Sequence, residues 1–294
     1  MVAYMDWMVK IMTWFHTQGR TYLPWRQTRD PYAICVSEFM LQQTQVDRVI
    51  PKYVAWLQEF PDWRTLAQAK TSLVLKLWSG LGYNSRALRL QKLARVVVAE
   101  YNGQLPTGEE SLLRLPGIGP YTAAALQAFV LEKEVVVIDT NIERIILRYF
   151  WAKPIADKID IIKKCQEAIV YGNQSNQQPF ARYFFQALMD FGALVCKAKP
   201  LCSNCPLKDK CQAFATQQFL VKRPKQSHFA HSKRFYRGQL LKTLHQRNKL
   251  TMTQLQKEYD IQKYSWQEIV ASLKKDGLVA VHDAKEIYVT LPLG

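Results

Sequence analysis

A mainly α-helical body followed by a small winged-helix-like α+β unit is the fold class this chain's hydrophobic pattern predicts. Through residues 1–215 apolar side chains recur at three- and four-residue spacings, as in Val54, Leu57 and Phe60 or Leu88, Leu90, Leu93 and Val97. That is the period of helices with one buried face, and strand signals are scarce over the same span. Beyond the basic, proline-containing stretch around Pro224 the pattern changes. Three short helices are expected at Gln239–Leu244, Thr253–Tyr259 and Trp266–Lys275, the last ending in Lys274 and Lys275. Strand-like pieces at Gly277–Val281 and Ile287–Val289, joined through Asp283–Glu286, complete a wing on that three-helix core.

At 294 residues the chain exceeds a typical domain, so two or three compact units are expected. One helix start is marked at Thr107, whose hydroxyl can cap the helix while Glu110 closes a capping box. That helix is expected to end at Leu115, before Pro116 and Gly117. Internal repeats and low-complexity tracts are absent from the sequence.

Hydrophobic residues make up 48% of the chain, yet no run approaches the roughly 18 apolar residues of a membrane span. Asp6 and Lys10 interrupt the N-terminal Met/Trp/Phe segment, which therefore does not read as an export signal. A cytoplasmic protein without a membrane partner is the expectation. The 40 Lys and Arg against 24 Asp and Glu leave +16, a field that favours a polyanion. Half of that excess, +8, lies in residues 220–294. Leu220–Arg237 holds six basic residues and no acidic one, which fits a solvated linker as well as contact with nucleic acid or an anionic membrane.

Four of the six cysteines, Cys196, Cys202, Cys205 and Cys211, fall within sixteen residues. Thiolates so close in sequence can surround one metal centre, and either a four-thiolate zinc or an iron-sulfur cluster satisfies the chemistry. The cluster can equally serve only to fix a loop and the lysines within it. Cys35 and Cys165 sit among apolar residues and read as core.

Leu115-Pro116-Gly117-Ile118-Gly119-Pro120 joins two helices by a turn whose glycines permit positive φ and leave backbone N–H groups at a helix start, a nest for phosphate. Two carboxylates stand out. Glu38 is alone among Ala33, Ile34, Cys35, Val36, Phe39, Met40 and Leu41, where burial favours the protonated form and suits a general acid. Asp139 ends the apolar run Val135–Ile138 and precedes a helix, whose N-terminal dipole and N–H groups favour a negative charge. By itself such an aspartate is a helix cap. The pair together provides an acid and an anion, the combination that cleavage at an anomeric carbon needs.

The hairpin, the aspartate and the cysteine loop together resemble the helix-hairpin-helix glycosylase superfamily. Ser37-Glu38-Phe39-Met40-Leu41-Gln42-Gln43-Thr44-Gln45-Val46 resembles the motif of its MutY-type adenine glycosylase branch, as do Leu23-Pro24-Trp25-Arg26, Leu77-Trp78-Ser79-Gly80-Leu81-Gly82-Tyr83 and Asp139-Thr140-Asn141. The resemblance covers roughly residues 20–215. It implies a six-helix barrel at 21–132, a cluster-bearing helical domain from 1–20 with 133–219, a basic linker at 220–236 and the winged-helix-like domain at 237–294.

The same resemblance implies a 4Fe-4S cluster on the four cysteines, with one departure. Five residues rather than the usual six separate Cys196 from Cys202. It further implies excision of adenine opposite guanine or 8-oxoguanine in double-stranded DNA, by a monomer. Glu38 would be the acid, Asp139 the stabilising anion, and Asn141 and Tyr121 the positioning groups. Arg26 would contact the adenine, while Leu41, Gln42, Gln43 and Tyr83 fill the gap it leaves. Pro116, Gly117, Ile118 and Gly119 would hold the DNA backbone. Bifunctional relatives carry a lysine where this chain has Tyr121, so strand cleavage is not expected. Nothing after His231 resembles the Nudix-like domain of typical MutY enzymes. Thymine or uracil removal opposite guanine and a catalytically silent DNA-binding protein are the alternatives.

Overall fold

The computed structural model describes residues 6–153, 157–174, 179–219, 228–259, 261, 263–284 and 286–292. Residues 220–227 of the linker expected at 220–236 lie outside them. In chain order the helices are α1 (Asp6–Gln18), α2 (Pro31–Leu41), α3 (Val46–Glu59), α4 (Trp63–Gln68), α5 (Thr71–Trp78), α6 (Ser85–Tyr101), α7 (Glu109–Arg114) and α8 (Pro120–Phe129). They continue as α9 (Thr140–Phe150), α10 (Lys158–Gln174), α11 (Phe180–Leu194), α12 (Gln212–Thr216), α13 (Lys233–Arg247), α14 (Met252–Glu258) and α15 (Trp266–Lys275). Strands β1 (Lys249–Thr251), β2 (Ala280–His282) and β3 (Tyr288–Thr290) complete the architecture. A mainly helical chain with a small C-terminal sheet is thus what the sequence forms. Among the described residues no helix is long and apolar enough to cross a membrane.

The chain divides into two compact units. One comprises Met1–Ile34, Thr107–Leu113 and Ile118–Pro224; the other comprises Cys35–Pro106, Arg114–Gly117 and Lys225–Gly294. In the first, α11 is apolar on nearly every side and is therefore central, packed by α1 and α9. Trp7 meets Phe184 edge-on, and Trp14 meets Phe191 in the same way. Two charges on α11 are buried with partners. Asp190 is bound by Arg20 and Arg26, while Arg182 donates to the carbonyls of Phe129 and Thr28.

In the second unit α6 packs on α4 and α5 over Trp56, Trp78, Leu90, Leu93 and Val97. The buried face of α3 is Val49, Tyr53, Trp56 and Phe60, not the Val54, Leu57, Phe60 stripe expected from spacing. Val54 is exposed, because the larger aromatic surfaces of Tyr53 and Trp56 gain more from burial and set the helix's rotation. The start of α7 also differs. Leu112 N donates to Gly108 O (3.0 Å), which puts Gly108 rather than Thr107 at the cap. The Thr107 carbonyl instead accepts from Lys133 Nζ (2.7 Å).

The C-terminal part has its three helices, with α13 longer than the pattern suggested, and its hairpin. It also has β1, which sequence reading missed. The sheet order is β1-β3-β2, all antiparallel, with Leu250 opposite Val289. Three residues of edge strand carry too little alternation to be seen in sequence. Capping boxes at Thr251 and Ser265 start α14 and α15.

Candidate active site

Asp139 caps α9. Its Oδ1 accepts from Asn141 N (2.8 Å) and Ile142 N (2.7 Å), and its Oδ2 accepts from Asn141 Nδ2 (2.8 Å). Three N–H donors and the positive end of the helix dipole therefore converge on one carboxylate. The Asn141 side chain is fixed in turn, its Oδ1 accepting from Arg144 Nη2 (2.8 Å), which also donates to Gly192 O (2.6 Å). Arg144 Nε reaches the Cys196 carbonyl (2.7 Å). One turn on, the buried Arg148 donates to Lys197 O (2.5 Å), Ala198 O (3.0 Å) and Phe219 O (2.7 Å), and lies 3.5 Å from Cys196 Sγ. A run of hydrogen bonds on α9 thus links the aspartate to the cysteine loop. Glycine is required opposite, since a Cβ on Gly192 would stand 2.5 Å from that of Asn141.

Arg26 is nearly buried and committed to Asp190, with Nη1 to Oδ2 at 2.5 Å and Nη2 to Oδ1 at 3.0 Å. Arg20 completes the triad through Nε (2.8 Å) and Nη2 (2.6 Å). Burial raises the Asp190 pKa, but the two guanidiniums together outweigh it and hold the carboxyl below its usual range. Arg26 also lines a cavity of about 290 Å³ with Phe15, Thr28, Tyr183 and Gln186. Tyr121 lies half-buried in the first turn of α8, which Pro120 begins.

Glu38 belongs to the second unit. Asp30 starts its helix α2, accepting from Tyr32 N (3.0 Å) ahead of Pro31. Glu38 is 8% exposed, between Ser37 and Phe39 at 1% each. Leu41, the last residue of α2, and Gln42 after it are half-buried, and Gln43 is exposed with φ of 56°. The second loop, Gly80 to Tyr83, holds three positive φ values, including 45° at Tyr83, whose ring is 46% exposed. Such backbone is sparsely populated and persists where surroundings fix it.

Arg86 does the fixing. Its Nη1 donates to the carbonyls of Phe39 (2.7 Å), Met40 (3.1 Å) and Gln42 (2.5 Å), and its Nη2 to Thr44 Oγ1 (3.0 Å), Leu81 O (3.1 Å) and Gly82 O (3.0 Å). Burial lowers its pKa to about 10, so it stays charged at neutral pH. In the hairpin Gly117 has φ of 81°, and a Cβ there would meet the Phe39 ring at 2.9 Å. Gly119 has φ of −101°, so only the first of these two glycines needs positive φ. Pro116 is half-buried, Gly117 exposed and Ile118 buried, placing the turn's backbone at the surface.

Residues 36–170 match the family model for HhH-GPD superfamily base excision DNA repair proteins. An adenine DNA glycosylase of Mycolicibacterium smegmatis is 38% identical over 68% of this chain and 67% of its own length. The chain belongs to the HhH-GPD superfamily. Within it the relatives point to the MutY-type branch. The adenine DNA glycosylase of Buchnera aphidicola subsp. Baizongia pistaciae is 38% identical over 69% of this chain, which spans 57% of that protein. A solved structure of a thermostable thymine-DNA glycosylase superposes with a TM-score of 0.63 at 30% identity, covering 71% of this chain and 95% of that one.

In this HhH-GPD protein none of the six cysteines is in a disulfide, and Cys35 and Cys165 are fully buried. Cys202, Cys205 and Cys211 have pKa values raised by burial and by their neighbouring thiols, Cys205 to about 11. Among the described residues no three His, Cys, Asp or Glu are grouped so as to hold a single metal ion. The residues that sequence reading missed are Arg86, Arg144, Arg148 and Gln186, all buried polar groups on apolar helix faces. Their signal was available, since Arg86 falls in the stripe continued by Leu90, Leu93 and Val97.

Proposed function

We propose that this chain is a monofunctional DNA glycosylase that hydrolyses the N-glycosidic bond of adenine mispaired with guanine or 8-oxoguanine. The observation that carries the reading is the contrast between its two carboxylates. Glu38 is buried on an apolar helix, while Asp139 receives three N–H donors at a helix N-terminus.

Glu38 protonates N7 of the extruded adenine as the bond to C1′ breaks, so the base leaves neutral. General acid help of this kind is worth roughly 100- to 10,000-fold. Asp139 faces the positive charge that develops on the sugar, and Asn141 and Tyr121 orient the water that adds to C1′. Arg26 and Gln186 meet the base edge, the amide offering both a donor and an acceptor. Leu41, Gln42, Gln43 and Tyr83 occupy the space left in the duplex and touch the opposite base, which lowers the cost of extrusion. The Pro116–Gly119 turn holds a phosphate through the backbone N–H groups of Gly117, Ile118 and Gly119.

Cys196, Cys202, Cys205 and Cys211 would hold the iron-sulfur cluster. Four neighbouring thiols are a donor set that a multiply charged cation stabilises, and burial opposes the ionisation of Cys202, Cys205 and Cys211 in its absence. The cluster would lend rigidity to the loop. We further read the protein as a cytoplasmic monomer.

The test is an assay of the purified chain on duplexes with A, T or U opposite G and opposite 8-oxoguanine. Adenine release with strand breakage only after added alkali is expected, because a phenol at Tyr121 cannot form a Schiff base. Release of thymine instead would favour the second reading, which the 30% identical thymine-DNA glycosylase supports.

A further inference from the structure

A cleft of about 850 Å³ lies within the second unit, between the Ser79–Ser85 turn and α13. Arg48, Arg234, Arg237 and Lys242 line it, against one carboxylate, Asp276, which Arg237 already binds. The ring of Phe229 is 58% exposed, has Arg234 stacked on it at 5.5 Å, and meets Phe235 edge-on. His245 also lines the cleft, and its buried Nδ1 has no hydrogen-bond partner. Gln43 and Tyr83 line it too. Lys274 and Lys275 do not border the cleft, so the basic wall comes from α13 and from Arg48 on α3, not from the end of α15.

We propose that one DNA strand continues past Gln43 and Tyr83 into this cleft, its phosphates against Arg48, Arg234, Arg237 and Lys242 and a base face against Phe229. Surplus positive charge attracts phosphate without regard to sequence, and an exposed aromatic ring stacks any base. The C-terminal part is thereby a strand clamp built onto the glycosylase body. It holds matched and mispaired duplexes alike. The inference rests on the DNA-glycosylase reading above and adds a second contact surface to it.

The experiment uses the full chain in a Glu38→Gln background, so that substrate stays intact. Fluorescence anisotropy with A:G, A:8-oxoguanine and matched duplexes is followed across a sodium chloride series. Arg234→Gln with Lys242→Gln should flatten the slope of log K against log salt by roughly 1.8, at about 0.9 per lost phosphate contact, equally on all three duplexes. Phe229→Ala should weaken binding at least about 5-fold, the low end for a lost base stack. Lys163→Gln with Lys257→Gln removes the same charge outside the cleft and should leave the slope within error of the parent's. Melting curves check folding; should the double variant not fold, the exposed Lys242→Gln alone should flatten the slope by roughly 0.9. An unchanged slope would overturn the clamp. So would a loss confined to the 8-oxoguanine duplex, since that result makes the cleft a base reader. A parent chain that binds no duplex would sink the glycosylase reading itself, whereas a binding parent with indifferent variants sinks only the clamp.

Discussion

Asp139 is a helix cap, and the N–H groups that start α9 face its charge, which is the geometry the proposed role of a stabilising anion requires. Glu38 has the opposite surroundings. Replacing it by Gln keeps its volume and removes the ionisable carboxyl, so single-turnover adenine excision should fall at least about 100-fold while mispair binding stays within a few-fold. Near-normal excision would remove Glu38 from the acid role. Asn141 holds Asp139 and is held by Arg144, so Arg144→Gln should slow excision with little change in DNA affinity, read as a fall in the single-turnover rate at saturating enzyme. Asp190 shows how a charge survives in a core: it is 0% exposed, yet five donor contacts from two arginines satisfy it. Its folded pKa is depressed, so its stabilisation is present above the unfolded value near 3.9 and lost as pH falls through the folded one. Asp190→Asn should lower stability by roughly 3–5 kcal/mol at neutral pH and remove that part of the acid-side loss, measured by melting temperature against pH.

At the scale of elements, the helices were legible because burial repeats with their period, and the loops that follow α2 and α5 stood out as strings of Gly, Gln and Tyr. What could not be read was which side of α3 faces inward, since Val54 and Tyr53 compete and only packing decides. Three-residue β1 was also invisible, because its strand character comes from pairing with β3. Arg86 belongs to this class as well: sequence shows a cation in an apolar stripe, but not that it joins the end of α2 to the Gly80–Tyr83 loop through six contacts. Replacing it by Met would orphan those acceptors, at a cost of roughly 3 kcal/mol or more in urea unfolding. Gly117→Ala places a Cβ at positive φ against the Phe39 ring, the residue next to Glu38. A loss of roughly 1–3 kcal/mol is expected, with excision reduced beyond what the remaining folded fraction explains.

At the scale of the whole chain, units built from separated segments depend on contacts made late in the sequence. Arg20 binds Asp190, and Arg148 binds the carbonyls of Lys197, Ala198 and Phe219, so the first unit is closed by residues far along the chain. The cysteine loop sits in that closing segment. It has two 3-10 turns, Cys202–Asn204 and Lys208–Lys210, and the five-residue α12. Such short pieces have little cooperative stability of their own, and a bound cluster would supply the missing constraint. Anaerobically prepared protein should therefore contain about four irons and four acid-labile sulfides per chain. Removing them should expose Lys197, Lys199, Lys208 and Lys210 to trypsin before the helical core is cut, because only the loop loses its support. Cys202→Ser should reproduce both the metal loss and the early cleavage, mapped by mass spectrometry of the fragments. Stoichiometric zinc without sulfide would replace the cluster by a single-ion site, and unchanged proteolysis after metal removal would show that Arg144 and Arg148 suffice to hold the loop.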